Sequence, residues 1–543
     1  MADENGYRVL VKEKIADAGV ELLRRHFDVD VRTDMSEEEL PGAIADYDAI
    51  VIRSATKLTS EVIERADRLK VIGRAGIGVD NVDVPAATKQ GIIVANAPES
   101  NIVAAAEHTI AMMLAQARNI PQAHSSLKSG KWERSRFGGF EVYEKTLGIL
   151  GFGRIGQLVA ARARSFGMQI LAFDPFVAAE RYRELGAERA ENPEALYAEA
   201  DIITIHLPKT PETINYVNSE SLAKMKDGVR LINCARGELI DLDALDEALT
   251  SGKVAGASLD VFPDEPMTEH PIFAHESVIV TPHLGASTTE AQDRAGVITA
   301  EQVVAALRGD LVSNAVNIPK VGSEDLAVLE PYLPLAAQLG RLAMSLATAT
   351  SVDRIEVGYH GRLAEFDTRL VTLAVLNGAF QGRVAENVNF VNAPAIAEER
   401  GIRVSEFNES EERDYANLVS VAVVANDDRS EVAGTTIGPR HAAHLVSVYG
   451  HSFNIELAPH MAVFRYSDVP GMIGKVGTVL GEHGINIAST AVGREPGQEP
   501  GAPAGGAGRH AVMVVTVDSP IPDDVVRAIL SLDGFQDGRA VAL

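Results

Sequence analysis

From residue 7 to 100 short apolar runs alternate with helical patterns. "YRVLV" precedes "GVELLRRHF", "AIVIRS" precedes "SEVIERADRL", and "KVIGRAG" leads through "PAATKQG" to "IIVANAP". Strand-helix alternation of this kind predicts a parallel sheet covered on both faces, hence an α/β fold. A second alternating series runs from about 146 to 283 and begins "TLGILGFGRIGQLVAARARSFG". "TTEAQDRAGVITAEQVVAALRG" predicts one long helix between 288 and 310, ended by Gly309, and "NIPK" at 317–320 marks a boundary. Residues 319–457 read as a further α/β mixture without a catalytic pattern. From 458 the chain changes again. "HMAVFRYS", "INIASTAVG" and "HAVMVVTVDS" read as strands, with helices at "GMIGKVGTVLGEHG" and "PDDVVRAILSL" and a short final strand. That βαββαβ order is the ferredoxin-like plan. Between its middle strands, "REPGQEPGAPAGGAGR" is too rich in Pro and Gly to bury a core and reads as a tolerated loop.

Composition narrows the picture. At 543 residues the chain is too long for one hydrophobic core, so several domains are expected. A formal net charge of -26 argues against nucleic acid or an anionic membrane as general partner, because both need a basic surface. An anionic substrate would need a local cluster of Arg and Lys. The single cysteine, Cys234, excludes an intrachain disulfide and a cysteine-rich metal site, and no metal is expected. "MADENGYRVL" lacks the succession of a signal peptide. "NIVAAAEHTIAMMLAQARNI" is interrupted by Glu107 and His108 and reads as a buried helix rather than a membrane span. A cytoplasmic location is the expectation.

Gly151, Gly153 and Gly156 follow an apolar strand and open a helix, and Asp174 ends the next strand 18 residues after the last glycine. The first glycine permits a tight turn, the second lets pyrophosphate approach the backbone, and the third lets helix and strand pack closely. Helix N-terminal N–H groups complete an anion site, and the acidic side chain accepts from ribose hydroxyls while repelling a 2′-phosphate, which favours NAD over NADP. Hydride transfer from an alcohol also needs a proton acceptor and a group that orients the substrate. His283 in "TPHLG" suits the first, with Glu265 in "PDEP" as its carboxylate partner; Arg236 in "INCARGELID" suits the second through its planar fork. Arg236 and His283 each follow an apolar strand pattern, and ligands in open parallel sheets bind beyond those carboxyl ends. Arg53, Arg74, Arg134 and Arg136 are candidates for holding a phosphate.

The pieces "RSATKLT", "GRAGIGVDNVD", "NAPESNIVAAAEHTIAMML", "EKTLGILGFGRIG", "INCARGELID", "DVFPDEP" and "TPHLGAST" resemble the D-isomer-specific 2-hydroxyacid dehydrogenase family over roughly residues 8 to 318. Within it they are most similar to the long members, which oxidise D-3-phosphoglycerate to 3-phosphohydroxypyruvate at the entry to L-serine biosynthesis. The resemblance implies a flavodoxin-like substrate domain at 1–100 plus 288–318, with a Rossmann NAD domain inserted at 101–287. An intervening domain at 319–457, similar to an allosteric substrate-binding module, and a ferredoxin-like ACT domain at 458–543 would follow. It implies His283 as acid/base, Glu265 as its partner and Arg236 as carboxylate anchor. Arg154, Ile155, Thr210, Cys234, Ala235, Asp260 and Gly285 would line the cofactor beside the glycines and Asp174. Arg53, Ser54, Gly76 and Asn101 would face the substrate. The C-terminal "RYSDVPGMIGKVGTVLGEHGINIAST" resembles an ACT module, which implies L-serine as effector near Tyr466, Asp468 and Asn486. A homotetramer and a side activity on 2-oxoglutarate are family expectations. Two other readings stand beside this one: a different D-2-hydroxyacid dehydrogenase acting on glyoxylate or 2-oxoglutarate, and a NAD-sensing corepressor-like protein.

Overall fold

The apolar runs of the first hundred residues form a sheet because each is short, rich in Val and Ile, and buried. In the computed structural model, which describes residues 6–347, 351–384, 388–410, 415–426, 428–494 and 510–543, these strands are β1 (Arg8–Val11), β2 (Asp28–Val31), β3 (Ala49–Ile52), β4 (Val71–Arg74) and β5 (Ile93–Asn96). Their order is β2-β1-β3-β4-β5, the flavodoxin-like order, and β1 runs parallel to β2 and β3. Every residue of β3 is buried, as expected for a strand covered on both faces. The helix Thr289–Arg308 covers this sheet: at Gly73 a Cβ would stand 2.7 Å from the Thr299 methyl, so only glycine admits the helix so closely. Gly309, at φ +80°, ends that helix as the sequence predicts.

The second series forms β6 (Thr146–Leu150), β7 (Gln169–Phe173), β8 (Glu188–Arg189), β9 (Ile202–Ile205), β10 (Val229–Asn233), β11 (Val254–Leu259) and β12 (Val278–Val280). The order is β12-β11-β10-β9-β6-β7-β8, with every pair parallel. Strand order reverses between β6 and β9. Connections on the two sides of that point leave in opposite directions and open a crevice at the carboxyl ends.

By internal contacts the chain forms two compact units, Met1–Lys57 with Ile72–Asn81 and Ala95–Asn314, and Leu58–Val71 with Val82–Val94 and Ala315–Leu543. The second unit holds two further sheets. One comprises β13 (Arg354–Gly361), β14 (Arg403–Glu409), β15 (Asn417–Ala425), β16 (Asp428–Ile437), β17 (Ala442–Val448) and β18 (His451–Glu456), in the order β14-β13-β15-β16-β17-β18. The other comprises β19 (His460–Ser467), β20 (Ile487–Arg494), β21 (His510–Val517) and β22 (Phe535–Ala542), in the order β20-β21-β19-β22. With the helices Met472–Glu482 and Asp523–Leu530 this last sheet has the βαββαβ plan read from the sequence. The Pro- and Gly-rich run at 495–509 lies outside the described residues. One face of the four-stranded sheet buries Ala462, Phe464 and Tyr466 under its helices. The other face, with Val463, Val512, Val514 and Val541, joins the core of Leu335, Leu339 and Leu342 in the helix Tyr332–Leu346.

Candidate active site

The glycine turn lies at the switch point of the seven-stranded sheet, and its three glycines differ physically. Gly151 has φ +90°, and a Cβ there would meet the His206 carbonyl oxygen at 2.7 Å. A Cβ on Gly156 would stand 2.3 Å from the Gly151 carbonyl oxygen, so helix and strand touch there. A Cβ on Gly153 would meet nothing within 4 Å, and Gly153 caps the 12-residue helix Arg154–Ser165. Open space before a helix N-terminus fits a pyrophosphate. Asp174 follows β7, and its two carboxylate oxygens accept N–H bonds from Phe152 and Phe176, each at 2.9 Å. The carboxylate therefore sits against the turn. Arg154 pairs with Glu99 at 2.8 Å, Ile155 is half-buried, and Thr210 lies in the loop after β9, where its N–H donates to Thr213 Oγ1 at 2.8 Å.

His283 and Glu265 come together across 18 residues: His283 Nδ1 donates to Glu265 Oε2 at 2.6 Å. Glu265 Oε1 accepts from the Phe262 N–H at 3.0 Å, and the Glu265–Pro266 peptide is cis. Burial alone would raise the Glu265 pKa; the His283 bond and the Phe262 N–H outweigh it and hold the carboxyl below its usual range. With Nδ1 committed to the carboxylate, Nε2 of the exposed His283 ring is the nitrogen left free to exchange a proton. The loop bearing His283 hangs on Asp260, which is fully buried. Its backbone carbonyl accepts the His283 N–H at 2.8 Å, and its carboxylate accepts the N–H groups of Leu284 at 2.7 Å and Gly285 at 2.8 Å. His283 itself has φ +54°. Cys234, after β10, is half-buried beside Asp260; desolvation first, and that charge second, push its thiol up to about 12, so it is no thiolate. Ala235 donates its N–H to Asn233 Oδ1 at 3.0 Å.

Arg236 is pinned by Asp80, whose carboxylate lies 3.3 Å from Nε, and by the Ala235 carbonyl at 2.7 Å from Nη1. It belongs to a cluster of cations. Arg74 is pulled down to about 10, first by burial, then by the charges of Arg236 and Arg53, with Asp80 and Glu13 opposing. Gly76 lets Arg74 fold over the backbone, since a Cβ there would collide with Nη1. Glu13 accepts the N–H groups of Arg53 and Thr56, both at 2.9 Å, and Asn81 Nδ2 donates to the Arg53 carbonyl at 2.8 Å, which stiffens the loop carrying Arg53 and exposed Ser54. Asn101, before the helix Ile102–Ala117, has a buried Oδ1 without a hydrogen-bond partner, and Arg74 Nε is likewise orphaned. A buried polar atom without a partner is what a polar ligand would satisfy. Arg134 is exposed, and Arg136 is tied to Glu133 and Glu276.

The three effector candidates make separate contacts. Tyr466 is buried against Phe535 in the core, Asp468 pairs with Arg494 at 3.0 Å, and Asn486 Nδ2 donates to Asp518 at 2.6 Å. Alternation along β19 turns 462, 464 and 466 to the helix-covered face, so the Tyr466 ring is core rather than surface. Sequence reasoning missed Asp80, Thr281 and His108. The last interrupts an apolar helix, and that was its one visible signal.

Comparison with known proteins agrees with this geometry. Residues 110–285 match the model of the D-isomer specific 2-hydroxyacid dehydrogenase NAD binding domain, 328–448 the D-3-phosphoglycerate dehydrogenase intervening domain, and 460–534 the ACT domain. The D-3-phosphoglycerate dehydrogenase of Methanocaldococcus jannaschii is 43% identical over 99% of this chain and 100% of its own length. That of Bacillus subtilis is 41% identical over 99% of this chain and 100% of its own. Among solved structures, the D-lactate dehydrogenase of Aquifex aeolicus complexed with NAD and lactic acid is 30% identical, with a TM-score of 0.51 over 58% of this chain and 100% of that one. A glyoxylate reductase from Paecilomyes thermophila is 30% identical, with a TM-score of 0.53 over 57% of this chain and 98% of that one. With relatives matched end to end and all three domain models present, the chain belongs to the D-3-phosphoglycerate dehydrogenase family of NAD-dependent oxidoreductases.

Proposed function

We propose that the crevice oxidises D-3-phosphoglycerate to 3-phosphohydroxypyruvate, the first step of L-serine biosynthesis, with His283 as acid/base, Glu265 as its partner and Arg236 as anchor of the substrate carboxylate. Bound NAD supplies the hydride acceptor. His283 Nε2 takes the hydroxyl proton, and the Glu265 carboxylate, ionised at neutral pH, stabilises the imidazolium that forms. Asp80 holds the Arg236 guanidinium with its fork available to a carboxylate. Gly151, Gly153, Arg154, Ile155, Gly156, Asp174, Thr210, Cys234, Ala235, Asp260 and Gly285 line the cofactor; Arg53, Ser54, Gly76 and Asn101 face the substrate. Arg53 and Arg74, beside Arg236, provide the local positive charge that a phosphorylated acid needs on a chain of net charge -26.

The observation that carries this reading is the 2.6 Å bond between His283 and Glu265 in a site that also holds Arg236. A substrate panel tests it: with NAD, turnover of D-3-phosphoglycerate should exceed that of 2-hydroxyglutarate and D-lactate. Preference for another acid would assign a different D-2-hydroxyacid dehydrogenase, and no turnover on any would favour a NAD-sensing corepressor-like protein. The domains we assign are 1–100 plus 288–318, 101–287, 319–457 and 458–543, in a cytoplasmic homotetramer with a side activity on 2-oxoglutarate. The ACT domain supports feedback by L-serine. Initial rates at saturating NAD should fall as serine is titrated, and a flat response removes that claim.

A further inference from the structure

The helix Ile102–Ala117 is apolar on most sides, yet it presents His108 to the ends of β11 and β12. His108 Nε2 lies 3.2 Å from Asp260 Oδ1 and 3.2 Å from Thr281 Oγ1. One turn along, Met112 Sδ touches the same Thr281 hydroxyl at 3.9 Å. We infer that His108 is a positioning residue of the reaction: it fixes the Asp260 carboxylate, and through it the backbone loop that aims His283. The inference rests on the acid/base reading of His283 given above.

The hydrogen-bond bookkeeping leaves His108 one role. The Thr281 hydroxyl gives its single proton to Asp260 Oδ1 at 2.6 Å, so toward His108 both oxygens are acceptors. His108 Nε2 must therefore carry hydrogen, as the Nε2–H tautomer or as imidazolium. Asp260 Oδ1 then receives Thr281, Leu284 and His108, and Oδ2 receives Gly285. A fully buried carboxylate costs several kcal/mol unless such donors compensate it. The titratable groups facing it are Glu265, a like charge, the neutral Cys234 thiol and His108. His108 is the one side chain in ion-pair reach of Asp260 among the described residues. Glu107, its neighbour, points elsewhere and pairs with Arg162 at 3.4 Å.

Hanging three successive N–H groups, 283 to 285, on one residue makes the His283 position depend on how firmly Asp260 is held. Displacements near 1 Å in a reacting constellation cost up to about a hundredfold in rate. His108→Leu, which fills the space but brings no hydrogen-bond donor, should lower kcat for D-3-phosphoglycerate by roughly 10- to 100-fold. It should also lower the melting temperature, because the buried Asp260 carboxylate loses a donor, so the comparison with His108→Gln carries the test. His108→Gln, whose amide N–H2 stands where Nε2 was, should restore most of the loss; His108→Asn, one bond too short, should not. Hydrogen exchange at the Leu284 and Gly285 amides should quicken at least about tenfold in His108→Leu and stay slow in His108→Gln. Unchanged exchange in His108→Leu, or a His108→Gln variant as impaired as His108→Leu, overturns the inference. Because exchange is read without substrate, an inactive wild-type protein would overturn the reading of the site and leave this test standing.

Discussion

His283 is aimed from two sides, by Glu265 through its ring and by Asp260 through its backbone, and these supports have separable consequences. His283→Ala should depress kcat by about 10²- to 10⁴-fold while the NAD dissociation constant, read by fluorescence titration, moves no more than about threefold. Comparable losses in both would deny the ring its acid/base role. Glu265→Gln keeps a hydrogen-bond acceptor but no charge to stabilise the imidazolium, so the acidic limb of kcat/KM for oxidation should move to lower pH. His206, behind the glycine turn, makes a different prediction. Burial depresses its pKa from 6.5 to about 4, with Nε2 3.0 Å from Thr204 Oγ1. Between those values the unfolded chain binds a proton that the folded chain refuses, so stability rises with pH across that window and is lost as pH falls through it. His206→Asn should show a shallower fall of melting temperature from pH 6.5 toward 4; an unchanged slope would place the acid sensitivity elsewhere.

The strand-turn-helix element at β6 divides structure from binding among its glycines. Gly153 faces open space with φ −71°, so alanine there costs the fold little but occupies the approach to the helix N-terminus. Gly153→Ala should leave the melting temperature within a few degrees of wild type and weaken NAD binding. Gly156→Ala forces a methyl into the Gly151 carbonyl and should lower stability itself. Equal destabilisation by both would refute the division. Most of this element is visible in "TLGILGFGRIG", because turn, strand period and helix start are local properties. The effector positions on β19 were less legible: "RYSD" does not reveal which face is covered, and the sheet turned Tyr466 inward.

Across the whole chain, apolar burial joins regions that the sequence presents as separate. Val463, Val512, Val514 and Val541 of the four-stranded sheet share a core with Leu335, Leu339 and Leu342 from the helix Tyr332–Leu346. Leu339→Ala, at a fully buried site, should cost about 2–5 kcal/mol. Because the core is shared, Leu339→Ala and Val514→Ala should lower the same calorimetric transition. Two transitions that respond independently would show that the ACT-like sheet folds on its own.

Periodicity and punctuation in the chain determined the strands, the glycine turn with Asp174, and the chain order of Arg236, Glu265 and His283, since those depend on neighbours a few residues apart. Nothing in that pattern brings Glu265 against His283, gathers Arg53, Arg74 and Arg236 with Asp80, or seats His108 on Asp260. Parallel strand order sets the ends of β11 and β12 side by side, which brings Glu265 to His283. Arg53 and Arg74 come from the five-stranded sheet and Arg236 from the seven-stranded one, and His108 from a helix, so those meetings depend on packing between elements. Long-range pairing chose that order, and with it the residues that face the crevice.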